Sequence, residues 1–117
     1  MSIEAILHYW FGADVDDTVV ARQKSALWWS KNPATDEEIR QRFESWVTKA
    51  STGELSDWQS TPSGLLALIV LTDQFPRNIY RDSPRAFALD SKALACCLYG
   101  IRSGFDLKLR PIERAFF

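Results

Sequence analysis

Apolar residues along the chain return at intervals of three and four, the period of one helix face. Ile3, Ile6, Leu7 and Trp10 follow Ser2 at that spacing, and Gly12 supplies a stop. A second segment opens at Asp16 or Asp17, where a carboxylate suits the unpaired amides of a helix start. It runs through Val20, Lys24 and Leu27 to Trp28 and Trp29, and Asn32-Pro33 breaks it. Thr35-Asp36-Glu37-Glu38 reads as a capping box, Thr35 accepting from the Glu38 amide while the Glu38 side chain returns to the Thr35 amide. Behind it Ile39, Phe43, Trp46, Val47 and Ala50 form the clearest stripe in the chain, ended by Gly53.

Thr61-Pro62 then places a cap and a first-turn proline before the unbroken apolar run Leu65 to Leu71. Seven apolar residues also suit a buried strand, but the cap, the proline and the lack of any second strand to pair with select a helix. Apolar all round, it is expected to be the central one, and Pro76 to stop it within a turn or two of Asp73. Ser83-Pro84 repeats the device ahead of Ala86, Leu89, Ala93, Leu94, Cys97, Leu98 and Ile101, a second stripe ending at Gly104. Arg110-Pro111 opens a last helix, Ile112 to Phe117. The expectation is a single all-α domain over residues 1–117, built of antiparallel helical hairpins.

Composition narrows the chemistry. Fourteen Lys and Arg against fifteen Asp and Glu give a net charge of -1, which does not favour nucleic acid. The longest apolar run is far short of the roughly 18 residues of a membrane span, and the N-terminus lacks the basic region of a secretory signal, so a cytoplasmic protein is expected. Cys96 and Cys97 are adjacent on a predicted helix, about 100° apart, and read as one core thiol and one half-exposed thiol. His8 is the sole histidine, so neither a structural zinc site nor a histidine-based nucleophile is expected. The five glycines form no phosphate-cradling loop, and no cofactor is predicted. Of the five tryptophans, Trp10 and Trp46 fall on apolar stripes and read as core, while Trp28 and Trp29 diverge, so one of them faces away.

The segments Ile6-Leu7-His8-Tyr9-Trp10-Phe11-Gly12, Trp28-Trp29, Asp73-Gln74-Phe75-Pro76-Arg77-Asn78-Ile79-Tyr80-Arg81 and Pro84-Arg85-Ala86-Phe87-Ala88 with Asp90 resemble the bacterial family of unknown function DUF924. The Asp-Gln-Phe-Pro-Arg-Asn hexapeptide is its most specific element, and the resemblance covers essentially the whole chain. It implies an all-helical, tetratricopeptide-like right-handed stack and assigns no activity. Members of the family are longer and carry a His-Ser-Glu motif that this sequence lacks. The resemblance therefore implies that residues 1–117 correspond to the N-terminal part of a member.

One constellation carries candidate chemistry. Asp73, Gln74, Arg77, Asn78, Arg81 and Arg85 cluster around Phe75-Pro76, with Asp90 close behind. In a functional reading Arg77 and Arg85 present guanidinium forks to a carboxylate or phosphate, with Gln74 and Asn78 as neutral partners and Asp73 orienting an arginine or acting as a base. In a structural reading Asp73 pairs with Arg77 or Arg85, and Asn78 closes the turn on backbone groups. Residues 1–60 hold six cations and ten anions and residues 61–117 eight and five, so the second half favours an anionic ligand or acidic partner. Three roles follow as expectations: a binding or scaffold module for a peptide or protein, an enzyme or enzyme remnant acting on a small anionic metabolite, and a homodimer formed through the C-terminal apolar residues Ile112, Phe116 and Phe117.

Overall fold

The computed structural model describes residues 2–117. Helix α1 (Ser2–Phe11) buries Ile6, Trp10 and Phe11 and ends where Gly12 turns into a positive φ of 74°, its amide donating to the His8 carbonyl at 2.7 Å. Helix α2 (Asp17–Trp29) is capped by Asp16, which accepts from the Thr18 and Val19 amides. Trp29 is its outward-facing tryptophan at 73% exposure, whereas Trp28 is half-buried and donates from Nε1 to the Trp10 carbonyl.

Helix α3 (Pro33–Ser51) starts two residues before the expected cap. Asn32 accepts from the Ala34 and Thr35 amides and Pro33 fills the first turn, so the Thr35–Glu38 capping box does not form. Asn-Pro acts here as a helix start, because the residue before proline is held extended, the conformation a cap requires. Ile39, Phe43, Val47 and Ala50 are buried along α3, as the stripe predicts, while Trp46, expected in the core, is half-buried against it.

Helix α4 (Pro62–Ile69) is the central rod. The Thr61 hydroxyl accepts from the Gly64 amide at 3.0 Å, and every residue from Gly64 to Ile69 is buried. Each large side chain there contributes roughly 1.5–3 kcal/mol by leaving water. Gly64 has no room for a side chain, because a Cβ would strike the Trp58 carbonyl in the 3₁₀ turn Ser56–Ser60.

Pro76 does not stop the rod. The chain widens into a π turn at Val70–Gln74, closed by the Phe75 amide on the Val70 carbonyl, and continues as α5 (Phe75–Ile79). An α-helical proline lacks the amide hydrogen and drives its ring against the carbonyl four residues back; the wider turn relieves that collision and lets the backbone run on. Thr72 inside this turn is 2% exposed and satisfies its hydroxyl on the Leu68 carbonyl at 2.7 Å.

The Ser83-Pro84 cap opens only a 3₁₀ turn, Pro84–Phe87, and α6 begins at Asp90 and runs to Arg102. Gly104, at φ 74°, leads into a third 3₁₀ turn, Phe105–Lys108. Helix α7 is limited to Pro111–Arg114 rather than reaching Phe117. Its start is joined to α2 by Arg110 Nε donating to Asp17 at 2.8 Å. The C-terminal apolar residues fold back against the core. Phe116 is 9% exposed, packed among the rings of Trp10, Phe11, Trp28 and Trp29, while Ile112 and Phe117 are half-buried against the core. Of the three residues named for a homodimer, Phe116 is thus buried within the chain, and Ile112 and Phe117 keep part of their surface exposed. No β-strand occurs among the described residues, and the fold is all-α.

Candidate functional site

The polar constellation lies where the rod leaves the core. Four-residue spacing across the π turn and α5 brings Arg77 back over Asp73, and Nη2 donates to Asp73 Oδ1 at 2.8 Å. The same nitrogen reaches Asp90 Oδ1 at 3.3 Å, tying α5 to the first turn of α6, and the guanidinium lies 4.9 Å from the Phe87 ring centre. Gln74 Nε2 donates to the other Asp73 oxygen. Asp73, Gln74, Arg77 and Asp90 therefore form one unit.

Asn78 and Arg81 belong to another. Arg81 donates from Nε and Nη2 to the two oxygens of Asp36, at 2.7 and 3.0 Å, and Asn78 Nδ2 donates to Asp36 Oδ1 at 3.0 Å. Burial works to raise the Asp36 pKa, but the bonds from Arg81 and Asn78, with the charges of Arg81 and Lys31, outweigh it and hold the carboxyl below its ordinary value. Asn78 thus bonds to a side chain of α3 and not to its own turn. Arg85 joins neither unit. Its guanidinium lies 4.1 Å from the Tyr80 ring centre, and it forms no ion pair among the described residues. Tyr80 donates to Glu44 Oε2 at 2.9 Å; burial, then the Glu44 carboxylate, pushes its hydroxyl above the usual pKa.

Sequence reading missed Asp36 and Glu44 as partners, since both lie in α3, 36 to 45 residues before the groups they bind. His8 is exposed on α1, and Cys96 and Cys97 are free thiols, one buried and one half-buried, each raised in pKa by burial. No group of three metal-ligating side chains occurs among the described residues.

Beside the Asp73–Arg77–Asp90 unit runs a groove of about 260 Å³, floored by Ile69, Ala93 and Cys97 and walled by Phe116 and Phe117. Its outer lip is Leu94, the first of three large apolar residues that α6 turns outward: Leu94, Leu98 and Ile101 are 60%, 43% and 51% exposed. The side of α6 facing the core is built instead from Ala93, Cys96 and Gly100. The stripe predicted from periodicity is thus divided: Ala86 and Ala93 are buried, Leu89 and Cys97 are half-buried, and Leu94, Leu98 and Ile101 turn outward. Small residues make the contact because α4 and the Phe117 ring come too close for anything larger; a Cβ on Gly100 would lie 2.6 Å from Leu65 and 2.5 Å from Phe117.

A family model described as a bacterial protein of unknown function (DUF924) matches residues 6–117, and the chain belongs to this family. Its fold is similar to the solved structure of a protein of unknown function from Agrobacterium tumefaciens, with a TM-score of 0.85 and 28% sequence identity. The match covers 98% of this chain and 60% of that one, so the chain spans about three fifths of its solved relative. No curated protein matches. No helix among the described residues is long and apolar enough to cross a membrane.

Proposed function

We propose that this domain is a docking module whose outer α6 face and adjoining groove receive an amphipathic helix from a polypeptide partner. The observation that carries this reading is the inverted amphipathicity of α6, which packs inward on small residues and presents Leu94, Leu98 and Ile101 outward at positions i, i+4 and i+7. A contiguous apolar stripe beside a groove is the surface that helix-in-groove recognition uses. The polar unit sets the orientation. Two carboxylates, Asp73 and Asp90, meet a single guanidinium, Arg77, so the groove's polar end carries an excess negative charge and favours a lysine or arginine on the incoming helix.

The enzyme reading has less support. Arg77 and Arg81 already spend donors on carboxylates and Arg85 lies on Tyr80, which leaves no excess of positive charge to hold an anionic substrate.

Selection of displayed helical peptides against the protein tests the reading. Enrichment of sequences with apolar residues at i, i+3 or i+4 and i+7, a basic residue near one end, and at least roughly tenfold weaker binding to Leu98→Lys supports it. Failure to enrich helices, or binders indifferent to Leu98→Lys, overturns it.

A further inference from the structure

The opposite flank of α6 faces a different space. Between α6, the end of α3 and the 56–60 turn lies a cavity of about 290 Å³, more enclosed than the groove beside Leu94. Leu55, Leu68 and Ala50 give it an apolar floor, with the buried Thr72 of the π turn behind them. Lys92 and Tyr99, on the same side of α6, and Gln59 of the turn supply its polar groups.

Those groups share one property. The Lys92 ammonium has no ion-pair partner among the described residues, and neither the Gln59 amide nor the Tyr99 hydroxyl has a hydrogen-bond partner there. Polar groups elsewhere around the rod are spent: Arg77, Asn78, Arg81 and Tyr80 each reach a carboxylate. An apolar hollow with a few convergent, uncommitted polar groups is the usual form of a small-molecule site. The Cys96 thiol at its edge is held neutral by burial and sets no negative charge against Lys92.

The geometry points to a binding site for a small organic monocarboxylate, its carboxylate on Lys92 and its hydrocarbon body against Leu55 and Leu68. One ammonium balances one negative charge, and the remaining donors are neutral, which suits a carboxylate better than a doubly charged phosphate. The apolar floor excludes small hydrophilic acids, because they would leave it wetted without burying anything in exchange. This site stands independently of the docking face, which lies across the helix from it.

NMR titration with hexanoate and its neutral counterpart hexanamide tests the assignment, read at the methyl groups of Leu55 and Leu68. Saturable shifts with hexanoate, and a requirement for at least roughly tenfold more hexanamide, are expected from a charge-assisted contact. Lys92 is exposed, so Lys92→Met folds normally and equalises the two probes, whereas Lys92→Arg retains the preference for hexanoate. Equal response to both probes in the unmodified protein, no saturable response to either, or a preference that survives in Lys92→Met overturns the proposal.

Discussion

The Phe117 ring lies against the bare α-carbon of Gly100, at a distance that leaves no space for a methyl group. This contact joins Phe117 to the last turn of α6 and helps form one wall of the groove. Alanine at position 100 gains about 1 kcal/mol in helix propensity. Forcing it between Phe117 and the fully buried Leu65 costs about 1–3 kcal/mol of overpacking. The second effect is expected to win. Thermal unfolding of Gly100→Ala should occur below that of the unmodified protein, and a rise in Tm would show that the C-terminal segment does not rest on α6.

The two phenylalanines that flank the polar cluster make a paired prediction. Phe75 is completely buried among the rings of Tyr9, Trp10 and Phe43, whereas Phe87 is 57% exposed and meets the Arg77 guanidinium. Phe75→Ala is expected to cost roughly 3–5 kcal/mol, a large part of the stability of a domain this size. Phe87→Ala should cost no more than about 1 kcal/mol, the scale of a cation–π contact in partial exposure. Urea unfolding of the two variants measures the contrast, and similar losses would show that the π turn does not seat Phe75 in the core.

Local signals in the sequence were legible and long-range ones were not. Thr61 and Asp16 cap what they were expected to cap because a cap depends on a side chain and amides two or three residues away, whereas Ser83 bonds the Arg85 amide as a cap but opens only a 3₁₀ turn. The start of α3 was placed too late because Asn32 and Thr35 are both competent caps, and Pro33 decides between them. Pro76 was read as a terminator because the rule describes an α-helix, and the chain evades it by widening. The stripe on α6 shows the deeper limit: periodicity identifies an apolar face but not whether other chain covers it. The partners of Arg81, Asn78 and Tyr80 all come from α3, and nothing local to residues 78–81 names them.

Asp36 gives a pH dependence of defined sign. Its folded pKa is depressed below the ordinary 3.8, so the stability it contributes is complete above that value and is lost as pH falls through the lower folded value. Asp36→Asn removes that dependence, and its unfolding free energy should therefore decline less than that of the unmodified protein as pH falls below about 4. At neutral pH the variant is expected to be less stable by about 1–3 kcal/mol, since Arg81 and Asn78 lose a charged acceptor in a partly buried setting. Chemical denaturation across acid pH measures both, and parallel curves would show that Asp36 titrates alike in the folded and unfolded chain.

Conservative exchange of the two arginines separates a fork from a point charge. Arg81 engages Asp36 with two nitrogens on two oxygens, and the pair is largely shielded, with side chains 29% and 16% exposed. Lysine keeps the charge but not the paired geometry, so Arg81→Lys is expected to cost about 1–2 kcal/mol with little sensitivity to salt. Arg77 reaches Asp73 and Asp90 through a single nitrogen and is 39% exposed, an arrangement a lysine ammonium reproduces. Arg77→Lys should therefore cost less than about 1 kcal/mol, and that loss should shrink further in high salt. Arg77 stands at the mouth of the docking groove while Arg81 locks α3 to the end of α5, so the ordering also separates recognition from scaffolding. Urea titrations at low and high ionic strength give the comparison; a larger loss at position 77 than at 81 would make the Asp73–Arg77–Asp90 unit the structural lock and leave the groove without its polar end.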